Sequence, residues 1–251
     1  MDITRHIESL ADEGRSLVAA AREAGTSAPV PTCPDWRIRD LVRHTGMVHR
    51  WATGFVVEGH SSYHPNGGEP DLDGPPLLDW FREGHALLVD ALTAAPAGLE
   101  CWTFMPAPSP LAFWARRQAH ETTIHRVDAE SARGGRLSTV TAEHAVDGID
   151  ELLHGFHSRG RSKVRSATPC SLRLRATDAD AVWTVRLSSE PPRTVRDKET
   201  AEPVPVDCEL SGTAEELYLT LWNRLPLTTL TVAGDPGPAR IWRENSGVTW
   251  S

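Results

Sequence analysis

The chain is predicted to be a two-domain α+β protein, a helical bundle followed by a small mixed α+β layer. Three observations carry that expectation. Up to about Gly160, apolar residues recur at helical spacing in five segments; after Ser166 the period drops to two; and between them Arg159, Arg161, Lys163 and Arg165 form a basic run that reads as a solvated linker. The expected domains are therefore residues 1–162 and 167–251. With 251 residues and a hydrophobic share of 39%, the chain is long enough to bury a core.

Ile3, Ile7, Leu10, Leu17 and Val18 mark one face of a first helix that stops near Gly25. The loop TSAPVPTCPDW leads to a second helix, from about Arg37 to Val57, with Leu41, Val48 and Trp51 inward. From Glu58 to Pro76 the turn formers HSSYHPNGG and DLDGPP predict a long loop. A third helix spans about Leu77 to Ala95, and a fourth about Ser109 to Arg133, where Ser109-Pro110 supplies an N-cap followed by proline at the first helical position. The fifth runs from Thr141 to Arg159. SLRLRA and AVWTVRLS then alternate as half-buried strands around the turn TDAD. RTVRD, VDCELSG and TTLTVAG predict further strands, with helices at TAEELYLTLWNRL and PARIWREN. Five of the nine tryptophans, Trp36, Trp51, Trp80, Trp102 and Trp114, lie in or beside apolar helical patterns and are expected in the core.

A net charge of −8 excludes a nucleic-acid footprint, which needs clustered Lys and Arg. No segment approaches the roughly 20 apolar residues of a membrane span. The N-terminal MDITRHIESLADEGRSL lacks the uninterrupted apolar stretch of a signal peptide. Four cysteines, Cys33, Cys101, Cys170 and Cys208, show no C-x-x-C spacing and read as reduced thiols, so a cytoplasmic protein is expected, as a monomer or small homo-oligomer.

The chemistry concentrates in DLVRH and HETTIHRVDAE. Glu121 and His125 stand four apart, so on a helix they lie about 40° apart on one face, one turn above the other. A third donor must come from another helix, and His44, on the second, is the candidate. Two imidazoles and one carboxylate suit a divalent ion such as Zn²⁺ or Ni²⁺ and leave a fourth position open, which points to catalysis. The plain alternative is a surface i,i+4 pair with His44 in a separate polar network.

The stretches VPTCPDWRIRDLVRH and WARRQAHETTIHRVDAE, followed by an α+β domain with LYLTLWNR and RIWREN, resemble the mycothiol-dependent maleylpyruvate isomerase family, in order and over nearly the whole chain. The resemblance implies a DinB-like antiparallel four-helix bundle with an additional helix, and a metal held by His44, Glu121 and His125. It implies mycothiol as co-substrate, a small electrophile as substrate, and Arg224 at the active site for catalysis and thiol binding. A planar guanidinium is a sensible reader of an oxygen cluster. Isomerisation and thiol S-transfer both fit such a site. A metal-dependent hydrolase and a non-catalytic metal-binding or regulatory protein are the alternatives.

Other candidates have plainer expectations. His49 and His120 lie five residues from a ligand histidine, about 140° around the helix, and are expected at the boundary or surface. His154 and His157 are expected to face solvent, and His60 and His64 to sit in the loop. Cys33 is expected to pack under Trp36. Asp128 could orient His125 through its second nitrogen or pair with a nearby arginine.

Overall fold

The computed structural model describes residues 1–197 and 205–248 and divides into two units, Met1–Ser138 and Thr139–Ser251. The first unit holds four helices: α1 (Ile3–Ala24), α2 (Ile38–Glu58), α3 (Gly74–Ala94) and α4 (Pro110–Arg133). Their ends follow local chemistry. The Asp2 carboxylate accepts from the Arg5 N–H at 2.8 Å, and Ser109 caps α4 by accepting from the Ala112 N–H at 3.1 Å, with Pro110 in the first turn. α1 packs on α4 and α3, and α2 on α3 and α4, closing the bundle. Leu17, Ile38, Leu41, Leu77, Phe81 and Ala129 fill its centre. Burying each of the Leu, Ile and Phe side chains contributes about 1.5–3 kcal/mol.

Of the five tryptophans expected in the core, Trp114 is fully buried, stacked on Phe55 with ring centroids 5.0 Å apart, whereas Trp36, Trp51, Trp80 and Trp102 are half-buried. Trp80 lies under the Arg50 guanidinium, 3.9 Å from the ring centroid, and its carbonyl accepts from Arg50 Nη2 at 2.7 Å. Gly46 and Gly84 make that pair possible: a Cβ would come within 2.3 Å of the Trp80 ring at Gly46 and 1.9 Å of Arg50 at Gly84.

The second unit opens with α5 (Ala142–Asp150), which runs on into a π-helical turn, Glu151–Phe156. A five-stranded sheet follows, built from β1 (Cys170–Ala176), β2 (Val182–Leu187), β3 (Arg193–Asp197), β4 (Cys208–Gly212) and β5 (Thr231–Gly234) in the order β3-β2-β1-β4-β5. All neighbours are antiparallel except β1 and β4, whose register pairs Leu174 with Leu210 in parallel. α6 (Ala214–Leu221) and α7 (Gly237–Asn245) complete the unit, with Trp183, Leu217, Tyr218 and Trp242 buried.

The division between units falls well before the expected break after residue 162. α5 packs on α6, and both oxygens of its Asp150 accept hydrogen bonds from the sheet, one from Trp183 Nε1 at 2.7 Å and the other from Arg196. The basic run is not a free linker either. Val164 is fully buried, the Ser166 N–H donates to the Ser188 carbonyl at 2.9 Å, and Arg159 lies over the Phe156 ring. Arg165 turns its guanidinium back onto the run, donating to the Val164 carbonyl at 2.8 Å and the Gly160 carbonyl at 3.2 Å.

His157, expected in solvent, is buried; its Nδ1 meets Ser162 Oγ at 2.9 Å and its ring packs edge-on to Trp242 at 4.7 Å. Only His154 of that pair is exposed. Burial, and after it the Arg159 charge, push the His157 pKa down to about 4. Between pH 6.5 and about 4 the unfolded chain therefore binds a proton that the folded chain refuses, and stability falls as pH falls. Over that window His157 should account for a loss on the order of 2–3 kcal/mol. Urea unfolding at pH 6.5 and 4.5 checks this: His157→Gln should flatten the pH dependence, and an unchanged slope contradicts it.

Candidate metal centre

α2 and α4 are neighbours, and the face of α4 that meets α2 carries Arg117, Glu121, His125 and Asp128 at spacings of four, four and three. His44 projects from α2 onto the same point. Its Nε2 lies 3.5 Å from Glu121 Oε1, and His125 Nε2 lies 3.2 Å from the same oxygen. The three donor atoms are all within 4.8 Å of one another, and the residues are 9%, 4% and 7% exposed. Two imidazole nitrogens and a carboxylate oxygen turned toward one point, away from bulk water, fit a divalent ion. Trp36 roofs them, its ring centroid 5.0 Å from that of His44 and 5.9 Å from that of His125.

The surroundings orient each donor. Asp128, fully buried, accepts from His125 Nδ1 at 2.9 Å through Oδ2, leaving Nε2 for the common point. Its other oxygen accepts from Thr32 Oγ1 at 2.6 Å, and Cys33 Sγ stands 3.8 Å from Oδ2. Cys33 and Trp36 are both partly buried and pack against the bundle core. Arg117 Nη2 donates to Glu121 Oε2 at 3.2 Å. Burial by itself would push the Glu121 carboxyl up, but the His125 and His44 hydrogen bonds and the Arg117 charge hold it well below the usual carboxylate range. Burial would likewise lower His125, yet Asp128 and Glu121 outweigh it and raise that pKa to about 9. A divalent ion bound to these donors would have to displace a proton from the same Nε2 to Oε1 gap.

Several expectations change here. His49 and His120 are fully buried, not at the surface. His49 Nε2 meets Thr122 Oγ1 at 2.9 Å, while burial and then His85 push its pKa well down. His120 packs on α1, its ring 5.9 Å from that of His6. The 140° offset from the ligands is real; what lies on that side is protein. His60 and His64 stack in the loop at 4.1 Å, and His60 Nε2 pairs with Glu58 at 2.9 Å. Arg224 lies beyond the end of α6, not within it: Asn223 adopts φ +64°, and the Arg224 N–H donates to the Leu219 carbonyl at 2.7 Å. Thr32 escaped sequence reasoning because it is 96 residues from Asp128, whereas Arg117 stood one turn before Glu121 and could have been read as its partner.

Residues 7–130 match the mycothiol maleylpyruvate isomerase N-terminal domain, and residues 143–240 match the C-terminal domain of the same family. The chain belongs to the mycothiol maleylpyruvate isomerase family. His44, Glu121, His125 and Asp128 all lie in the first matched segment and Arg224 in the second, so the family architecture spans every candidate residue. The crystal structure of the mycothiol-dependent maleylpyruvate isomerase shares the fold, with a TM-score of 0.61 at 12% identity over 93% of each chain. A histidine-to-alanine variant of that enzyme gives 0.62 at 11% identity, again over 93% of each chain. Comparison with curated proteins yields no match.

Metal analysis of the purified protein should find about one divalent ion per chain, and Glu121→Ala should remove it. Asp128→Asn should keep the fold by circular dichroism and weaken metal affinity about 10- to 100-fold. Wild-type affinity in the asparagine variant would show that Asp128 does not orient His125.

Proposed function

We propose that the chain is a divalent-metal-dependent enzyme that activates mycothiol for attack on a small electrophile, with cis–trans isomerisation as its reaction and S-transfer as the variant for substrates that keep the thiol. One observation carries this reading: His44 Nε2, His125 Nε2 and Glu121 Oε1 converge in a buried cluster flanked by the Trp36 ring. Zinc is the ion we favour, since a borderline-soft cation accepts nitrogen, oxygen and sulfur, with nickel second. Bound there, the ion would supply positive charge that keeps a thiol sulfur anionic and nucleophilic at neutral pH.

The protein's part is positional. Asp128 holds the His125 ring so that Nε2 faces inward, and its negative charge raises the basicity of that imidazole. Trp36 limits access by water, which strengthens every charge interaction beneath it. On the substrate, the thiolate forms a C–S bond to an alkene carbon while the π pair moves to a conjugated carbonyl oxygen. Rotation about the resulting single bond and expulsion of the thiolate restore the alkene in the trans form and return the thiol unchanged.

Arg224 is proposed to bind an oxygen cluster of thiol or substrate. Its turn is pinned within the second unit, because Arg243 Nη1 donates to Asn223 Oδ1 at 3.2 Å and to the Leu225 carbonyl at 2.9 Å. Arg224 Nη1 donates to the Trp222 carbonyl at 2.8 Å, which sets the direction of the guanidinium. The partners are a small thiol and a small electrophile. Among the described residues no helix is long and apolar enough to cross a membrane. We place the protein in the cytoplasm, where a low-molecular-weight thiol pool is reduced, as a monomer or small homo-oligomer.

Titration of metal-loaded protein with mycothiol, followed by assay with maleylpyruvate, tests the reading: saturable thiol binding and cis–trans turnover are expected. Binding of neither would overturn it. Arg224→Ala should keep metal and fold while kcat/KM falls by about 2–4 kcal/mol in transition-state terms. Unchanged kinetics would remove Arg224 from the site.

A further inference from the structure

We infer that Arg117 restricts Glu121 to ligation through one oxygen and thereby keeps a coordination position open at the metal centre. The inference rests on the metal reading above. Its basis is the division of labour within one carboxylate. Oε1 lies 3.2 Å from His125 Nε2 and 3.5 Å from His44 Nε2, at the point where the donors converge. Oε2 lies 3.2 Å from Arg117 Nη2. Both side chains are buried, Arg117 at 1% and Glu121 at 6% of their side-chain surface, so water cannot take the guanidinium's place on Oε2.

A carboxylate ligand is free to bind a cation through one oxygen or both, and the second mode occupies two positions. With two imidazoles and one oxygen, a tetrahedral ion retains one position for an incoming ligand; with both oxygens it has none. With the guanidinium removed, Oε2 would be a buried anionic oxygen without its 3.2 Å partner, and turning it to the ion would answer its charge. Arginine suits the task better than lysine, because it stays charged at any working pH and its fork is rigid once packed. The i,i+4 spacing on α4 builds the clamp locally, so it travels with the ligand whatever the rest of the bundle does.

The experiment loads wild-type protein, Arg117→Met and Arg117→Gln with Co²⁺ and records visible absorption, which is intense for four-coordinate cobalt and weak for higher coordination. 2-Mercaptoethanol is then titrated in. Wild type should give an intense band and a saturable sulfur-to-cobalt charge-transfer signal. The neutral variants should keep stoichiometric cobalt, lose several-fold in band intensity, and bind 2-mercaptoethanol at least tenfold more weakly. Having two neutral variants guards against one that fails to fold. Cobalt-loaded variants with the wild-type band and thiol titration overturn the clamp while leaving the metal reading standing. Loss of cobalt from folded variants also overturns it, since Arg117 would then support affinity and not ligation mode. A wild-type protein that takes up no cobalt overturns the metal reading and this inference together.

Discussion

The Glu121 carboxylate is the constraint around which the bundle's polar interior is organised. A buried carboxylate is tolerated only when both oxygens are answered, and here they are answered by different groups: imidazoles from two helices on one oxygen, a guanidinium on the other. From that requirement follows the charge alternation of α4, Arg117, Glu121, His125, Asp128, in which each member is flanked by its opposite. Removing any one leaves a buried neighbour uncompensated, a loss that in buried ion pairs runs to about 3–5 kcal/mol.

The same helix is buried from Arg117 to Glu130, and its charges are matched on the side away from the ligands as well. Arg126 donates to Glu13 of α1 at 2.6 Å and to Glu130 at 2.8 Å, and Glu130 in turn accepts from the Ser138 N–H at 2.9 Å. α4 thus binds α1 by one ion network and meets α2 at the candidate metal centre. A helix pinned on both sides holds its candidate ligands to the narrow tolerances that metal binding would demand. The stability that this polar interior gives up relative to an apolar one is the usual cost of a preorganised site.

Much of this was legible in residue order. The period of 3.6 placed Glu121 and His125 on one face, and put Asp128 close enough to reach the far nitrogen of His125. Ser109-Pro110 marked the start of α4 to within a residue, and the switch to period two located β1 and β2. Where reading failed, the reason was that burial is a property of neighbours. His49, His120 and His157 looked like surface residues because nothing in their own segments demanded cover, and all three are covered. The basic run at 159–165 looked like a linker because charge was read as exposure, whereas the Arg165 guanidinium turns back onto the Val164 and Gly160 carbonyls and the following Ser166 is hydrogen-bonded into the second unit.

Local periodicity, caps and turn residues act within about ten residues of chain, so the sequence by itself determined the helices and strands, the Glu121 and His125 pair, and the separation of a bundle from a sheet. Contacts between distant segments were decided only in the tertiary structure. Which helix faces α4, which carboxylate oxygen meets the imidazoles, that Thr32 bonds Asp128, that β1 and β4 run parallel, and that Asp150 of α5 bonds the sheet all depend on packing between segments tens of residues apart, where no short-range pattern carries the information.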